Sequence, residues 1–293
     1  MSKTLFSENK IMFSGLSDVP TKNKSAVMGE YLWNLLFKRD PNFGGFFAGF
    51  YGIMGCGKTS LLHKTARRIM KENPDEILFW REPLESPLQA PNIRDGRFQI
   101  LCERRSPVKL YRMSSHGITP SDDFKIRKFT GFNELLKMVE PGMLNVVYFQ
   151  HLYRWVDLLN KLRRWRSWKS VFFDELEDVL PGRCRGKQWL MNEVFANSVK
   201  EIRKSRTNVF YTTQNQMDID YRCVSKTMLH FYLYGAKRDE HSPVFKQAVQ
   251  GLKLGQGWVD YGHSLFGQIN FKPVLPLEPT YMILPIGGNT KKS

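Results

Sequence analysis

Gly52-Ile53-Met54-Gly55-Cys56-Gly57-Lys58-Thr59 has the spacing G-x-x-x-x-G-K-[ST], and its flanks decide what it means. Upstream, Phe46 to Tyr51 is an apolar run that reads as a buried strand. Downstream, Lys58 to Lys71 sets Leu61, Leu62, Thr65, Ile69 and Met70 on one side of a helix. Strand, glycine-rich turn and helix in that order make a phosphate cradle. Glycines let backbone N–H groups curl around an anion without a Cβ clash, and the helix presents its positive end to the same anion. Lys58 is placed to reach the β- and γ-phosphates, and the Thr59 hydroxyl to ligate Mg²⁺. Gly52, Gly55, Cys56, Gly57, Lys58, Thr59 and Ser60 are therefore the candidate nucleotide-binding residues, with ATP and Mg²⁺ as the implied ligands. Cys56 reads either as a small residue whose backbone matters or as a redox switch.

A second element lies in Val171-Phe172-Phe173-Asp174-Glu175, an apolar strand ending in two carboxylates. In a parallel sheet, strand C-termini converge on the ligand crevice. Asp174 is the expected Mg²⁺ residue and Glu175 the expected base for an attacking water. The pair also suits a helix start, and Glu177 and Asp178 are further carboxylates for the base. A third element is Asn208 to Gln214, a strand ending Thr-Thr-Gln, whose Gln214 is a candidate for sensing the γ-phosphate or the water.

The rest of the chain alternates strands and helices. A helix is expected from Ser25, as N-cap, to Arg39, ended by Asp40-Pro41. Strands are expected at Ile77–Trp80, Asn145–Phe149, Val171–Phe173, Val209–Thr212 and Met228–Tyr234. Helices are expected at His151–Trp165, Gln188–Lys204 and Pro243–Leu252, and a hairpin at Gly257–Tyr261 and Phe266–Phe271. Residues 81–130 break the rhythm with Pro83, Pro87 and Pro91, then three strand-like runs, and read as a β-rich insertion. The fold class is α/β, with a mostly parallel central sheet covered on both faces. The expected organisation is an N-terminal arm and helix at 1–42, one nucleotide-binding domain at 43–272, and an extended tail at 273–293 that suits contact with a neighbour.

The 293 residues carry 44 Lys+Arg against 28 Asp+Glu, a net charge of +16, with 42% apolar and 13% aromatic residues. That composition fills a core and excludes a disordered or fibrous chain. No run reaches the roughly 18 apolar residues of a membrane helix. The N-terminus lacks a signal-peptide core. Four cysteines without CxxC spacing argue against a disulfide framework or a zinc site, and suit a reducing cytoplasm. The six histidines show no ligand spacing and read as structural or surface residues. The excess positive charge points to a polyanion, nucleic acid first.

Taken together, Gly52–Thr59, the strand ending Phe-Phe-Asp174-Glu175, and Arg203-Lys204 leading into a strand that ends Thr-Thr-Gln214 resemble the FtsK/HerA group of P-loop ATPases. These are ring-shaped motors that move double-stranded DNA. The chain resembles especially the genome-packaging ATPases of membrane-containing and archaeal DNA viruses. The likeness spans about Phe46 to Tyr234, with Ile219-Asp220 and Arg222 following the third strand. It implies a P-loop NTPase fold, a homo-oligomeric ring of five or six subunits, and an arginine finger from the adjacent subunit. Arg203 matches the position where DNA pumps carry that arginine. Arg206 and Arg222 are rivals, and Arg183 and Arg185 stay open.

Two basic stretches suit a DNA backbone. Tyr153 to Lys169 holds six basic residues, including Arg163, Arg164 and Arg166, against one acid, with three tryptophans. Arg183, Arg185 and Lys187 fit a pore loop after the acidic strand. Either set also reads as a solvated face. Neither is a base-reading pattern; about six phosphate contacts would give log K against log salt a slope near −5. The leading expectation is an ATP-driven duplex DNA translocase that packages a viral genome, with capsid or membrane-vertex partners, in the host cytoplasm and at the virion vertex. The alternatives are a Zot-like phage assembly ATPase, a helicase or recombination motor, and a nucleotide-controlled assembly switch.

Overall fold

The computed structural model describes residues 21–40, 44–83, 97–105, 108–202, 204–237, 242, 244, 246–272 and 280–286. In chain order the elements are α1 (Thr21–Leu35), β1 (Phe47–Tyr51), α2 (Lys58–Glu72), β2 (Ile77–Arg81), β3 (Phe98–Glu103), β4 (Val108–Ser114), β5 (Gly117–Pro120) and β6 (Ile126–Phe129). They continue with α3 (Phe132–Met138), β7 (Leu144–Tyr148), α4 (Arg154–Leu162), β8 (Lys169–Phe173), α5 (Gly186–Ile202), β9 (Thr207–Thr213), α6 (Tyr221–Val224) and β10 (Leu229–Leu233). The last are α7 (Lys246–Gln250), β11 (Gln256–Tyr261), β12 (Leu265–Asn270) and β13 (Thr280–Pro285). Short 3-10 turns follow β8 (Leu176–Asp178) and β9 (Gln216–Asp218).

A ten-stranded sheet runs β12-β11-β10-β1-β9-β8-β2-β7-β3-β6. Every pairing from β10 to β6 is parallel, and β11 and β12 add an antiparallel hairpin at one edge. The central strands are buried on both faces, which is why they read as continuous apolar runs rather than alternating ones. The period of two still sorts their side chains. Ala48, Phe50, Phe172 and Phe210 pack with Leu61, Leu62 and Ile69 of α2. Phe47, Val171, Phe173 and Val209 pack on the other face with Leu158, Leu159 and Leu162 of α4 and Phe195 and Val199 of α5. Each phenylalanine buried this way contributes about 1.5–3 kcal/mol.

One local reading changes and two gain detail. Ser25 lies inside α1, which starts at Thr21, and its hydroxyl accepts a hydrogen bond from the Gln268 N–H of β12 at 3.2 Å. Tertiary docking, not capping, uses it. The described part of residues 81–130 is β-rich, as expected, and its strands are shared between two sheets. β3 and β6 extend the main sheet in parallel, and β4 and β5 form a second, antiparallel sheet. That second sheet is completed by β13 from the C-terminal tail, paired with β4. Phe124 stacks edge-on between Phe98 and Tyr281, and Tyr281 donates to Asp123 at 2.7 Å, which ties the tail down. Pro87, Pro91, the arm up to residue 20, Pro243, and 273–279 and 287–293 of the tail lie outside the described residues.

Candidate nucleotide site

The site lies at the C-terminal ends of β1, β8 and β9, and the strand order builds it. β9 stands between the phosphate-loop strand β1 and the acidic strand β8. The tip of β9 therefore sits between the loop and the two carboxylates. Gly57 caps α2 with φ 97°, in the left-handed region that favours glycine, so the loop can turn directly into the helix. Lys58 Nζ lies across the loop, donating to Gly52 O at 2.8 Å and Ile53 O at 3.0 Å. Cys56 is 1% exposed, with its sulfur packed beneath Gly52, and burial pushes its thiol up. A protonated, buried thiol is a poor nucleophile, so the small-residue reading of Cys56 fits and the redox switch does not.

A chain of hydrogen bonds joins the three sequence elements. Thr59 Oγ1 donates to the Asp174 carboxylate, 3.0 Å from both oxygens. Thr212 Oγ1 of β9 donates to Asp174 Oδ1 at 2.7 Å and accepts from the Glu175 N–H at 2.8 Å. Asp174 is buried, and burial raises its carboxyl, opposed by the Thr212 and Thr59 hydroxyls and by Arg81 and Lys58. Glu175 is exposed at φ 57°, and desolvation followed by the Asp174 and Asp178 charges raises its carboxyl. A raised carboxyl is a stronger proton acceptor near neutral pH. A threonine hydroxyl beside an aspartate at a helix N-terminus is the hard-oxygen pair that suits Mg²⁺, with phosphates and waters as the other ligands. That donor set needs no third protein ligand, and no cluster of three or more His, Cys, Asp or Glu suited to a metal occurs among the described residues.

Gln214 is exposed at the tip of β9, on this same edge. The Thr213 hydroxyl donates to Asn215 O at 3.0 Å, and burial pushes the carboxyl of Glu177, in the turn after β8, up to about 7. Ser60 lies in the first turn of α2, partly exposed. The arginines divide. Arg203 lies outside the described residues. Arg206 precedes β9 at φ 51°, and its guanidinium donates to Arg166 O at 3.3 Å. It is on the opposite edge of the sheet, the length of a seven-residue strand away, about 20 Å. Arg206 thus lies far from the phosphate loop of its own subunit. Arg222 is tied to Asp220 at 2.6 Å and lies 4.4 Å over the Trp189 ring.

The two basic sets are not brought together. Arg163, Arg164 and Arg166 are exposed beyond α4, at the edge where β8 begins. With Glu201, Lys204, Ser205 and Asn160, Arg163 and Arg164 line a cavity of about 420 Å³. Arg183, Arg185 and Lys187 are exposed past the other end of β8, on the nucleotide side. Two site residues escaped the sequence reading. Thr212 was legible only as part of a Thr-Thr strand end. Arg81 left one signal, a cation directly after the apolar Ile77–Trp80 run.

No family model matches the sequence, and no curated relative does. Solved structures do match in fold. The genome packaging NTPase B204 from Sulfolobus turreted icosahedral virus 2, in complex with AMPPCP, is similar at a TM-score of 0.51 and 11% identity, covering 80% of this chain and 100% of that one. The DNA-packaging ATPase B204 from Sulfolobus Turreted Icosahedral Virus is similar at 0.50 and 12% identity, over 80% and 100%. The N-terminal domain of zonular occludens toxin from Neisseria meningitidis is a weaker likeness at 0.36 and 11%, over 79% and 95%. The fold is that of a P-loop NTPase, similar to these packaging NTPases.

Proposed function

We propose that the chain hydrolyses ATP and uses it to move double-stranded DNA, packaging a viral genome. The observation that carries the hydrolytic reading is the Thr59–Asp174–Thr212–Glu175 chain, which holds phosphate loop, acidic strand and third strand in one hydrogen-bonded unit. In this reading the loop N–H groups and Lys58 hold the ATP phosphates. Thr59 and Asp174 would hold Mg²⁺, which would neutralise charge on the phosphates. Glu175 takes the proton of the attacking water, and Gln214 orients that water from the β9 tip. An arginine from an adjacent subunit of a homo-oligomeric ring, Arg203 first, completes the site.

DNA translocation rests on the +16 charge and the two exposed basic sets. Packaging rests on the neighbours whose names describe genome packaging and DNA packaging, at identities near one in ten. Capsid or membrane-vertex proteins would be the partners, with the host cytoplasm and the virion vertex as the places of action. Among the described residues no helix is long and apolar enough to cross a membrane.

Steady-state ATP hydrolysis, alone and with long duplex or single-stranded DNA across a salt series, tests this. Duplex stimulation that fades with salt supports the pump. Stimulation by single strands alone favours the helicase. Hydrolysis indifferent to DNA removes translocation and returns the assembly-ATPase reading.

A further inference from the structure

Arg81 is the last residue of β2, 5% exposed, on the far side of β8 from the phosphate loop. Nothing in the nucleotide chemistry above uses it. Its guanidinium donates to Asp174 O, to Glu175 O at 2.9 Å and to Asp178 Oδ2 at 2.6 Å. Two of those acceptors are consecutive main-chain carbonyls, and the second belongs to a residue at φ 57°. That conformation is uncommon for a residue with a side chain and persists where the surroundings hold it. The main chain adds a fourth tie, Asp174 N–H to Arg81 O at 3.2 Å.

We propose that Arg81 is a positioning residue for hydrolysis. Its planar fork locks the Asp174–Glu175 turn so that Glu175 faces the phosphate loop. The inference rests on the hydrolytic reading of the site and extends it. Rotating the Asp174 carbonyl away would turn the peptide that precedes Glu175 and release its φ, and rotating the Glu175 carbonyl would release its ψ. The hydrogen bond from Glu175 N–H to Thr212 Oγ1 holds the same residue from the other side. The grip therefore comes from both neighbouring strands, β2 by Arg81 and β9 by Thr212. A lysine keeps the charge but cannot span two carbonyls and a carboxylate, because it is a point charge rather than a fork. Asp178, whose side chain is 44% exposed, anchors the outer end of the fork.

The test compares Arg81→Lys, Arg81→Gln and Asp178→Asn with wild type and Glu175→Gln. The readouts are thermal midpoint, affinity for a fluorescent ATP analogue, and kcat and KM for ATP. For Arg81→Lys the expected result is analogue affinity and KM within about twofold of wild type and kcat down about 100-fold, the loss a misplacement near 1 Å produces. Asp178→Asn, at a partly exposed site, folds even if Arg81→Gln does not, and loses kcat about 3- to 10-fold at unchanged KM, as weaker misplacement predicts. A folded Arg81→Lys with kcat within twofold of wild type overturns the proposal. So does a loss of kcat matched by an equal loss of analogue affinity, which marks general loosening of the site. If wild type turns ATP over and Glu175→Gln does not, those failures fall on Arg81 alone. A wild type that binds the analogue but never hydrolyses ATP refutes the functional reading, and this proposal with it.

Discussion

Glu177→Gln isolates one titrating group. Glu177 sits in the 3-10 turn after Glu175, and its Oε2 is buried with no hydrogen-bond partner among the described residues. Burial raises its carboxyl from 4.5 to about 7. A raised carboxyl favours the protonated folded state. Its contribution is fully present below the unfolded value near 4.5 and is lost as pH rises through 7. At 1.36 kcal/mol per pH unit, and discounted for partial exposure, that loss is about 2–3 kcal/mol. Glutamine keeps the shape of the neutral acid and cannot ionise. Wild type should therefore lose about 2–3 kcal/mol relative to Glu177→Gln between pH 4.5 and 8, about 5–10 °C of melting temperature for a chain this size. Asp174 and Glu175 titrate in both proteins and cancel in the difference. Melts or denaturant titrations at half-unit pH steps measure it. Parallel curves within about 0.5 kcal/mol would refute the buried, partly unsatisfied placement of Glu177. The same variant should still hydrolyse ATP; its loss, with turnover kept in Glu175→Gln, would move the base to Glu177.

Lys58→Ala should abolish nucleotide binding, whereas Glu175→Gln should bind ATP and not turn it over; retained affinity in the first, read by equilibrium binding, would remove the phosphate-loop assignment. Thr212→Val keeps the side-chain shape but orphans the Glu175 N–H and deprives Asp174 of a donor, so the melting temperature should fall by the equivalent of about 2–4 kcal/mol, together with kcat. Native Cys56 should resist alkylation at pH 7.5 while the partly exposed Cys184 reacts, by mass spectrometry of the digest; fast labelling of Cys56 would reopen the redox reading.

The phosphate loop and the acidic pair were legible because their chemistry is local. Gly52 to Thr59 needs its residue types at fixed spacing, and Asp174-Glu175 needs only an apolar strand before it. The strand runs at Phe46–Tyr51, Val171–Phe173 and Met228–Tyr234 were legible because both sheet faces bury them, leaving nearly continuous apolar runs broken only by Gly49 and His230. Ser25 misled because a serine before an apolar stretch is the usual sign of a cap, and docking on β12 uses the same hydroxyl. That β3 and β6 join the parent sheet was not legible, because strand runs beyond a proline-rich stretch carry no sign of which sheet they enter.

Residue types alone thus specified a nucleotide-phosphate loop, an acidic strand and an α/β alternation. They could not specify which strand lies beside which, since parallel neighbours are joined through long crossovers and pairing is a property of the closed sheet. That pairing places Thr212 between Asp174 and Glu175 and Arg81 behind them, at separations in sequence of 38, 37, 93 and 94 residues. It also sends Arg163, Arg164 and Arg166 to one edge of the sheet and Arg183, Arg185 and Lys187 toward the other. Hydrogen bonds act over about 3 Å. Contacts across such separations exist only once the chain has folded.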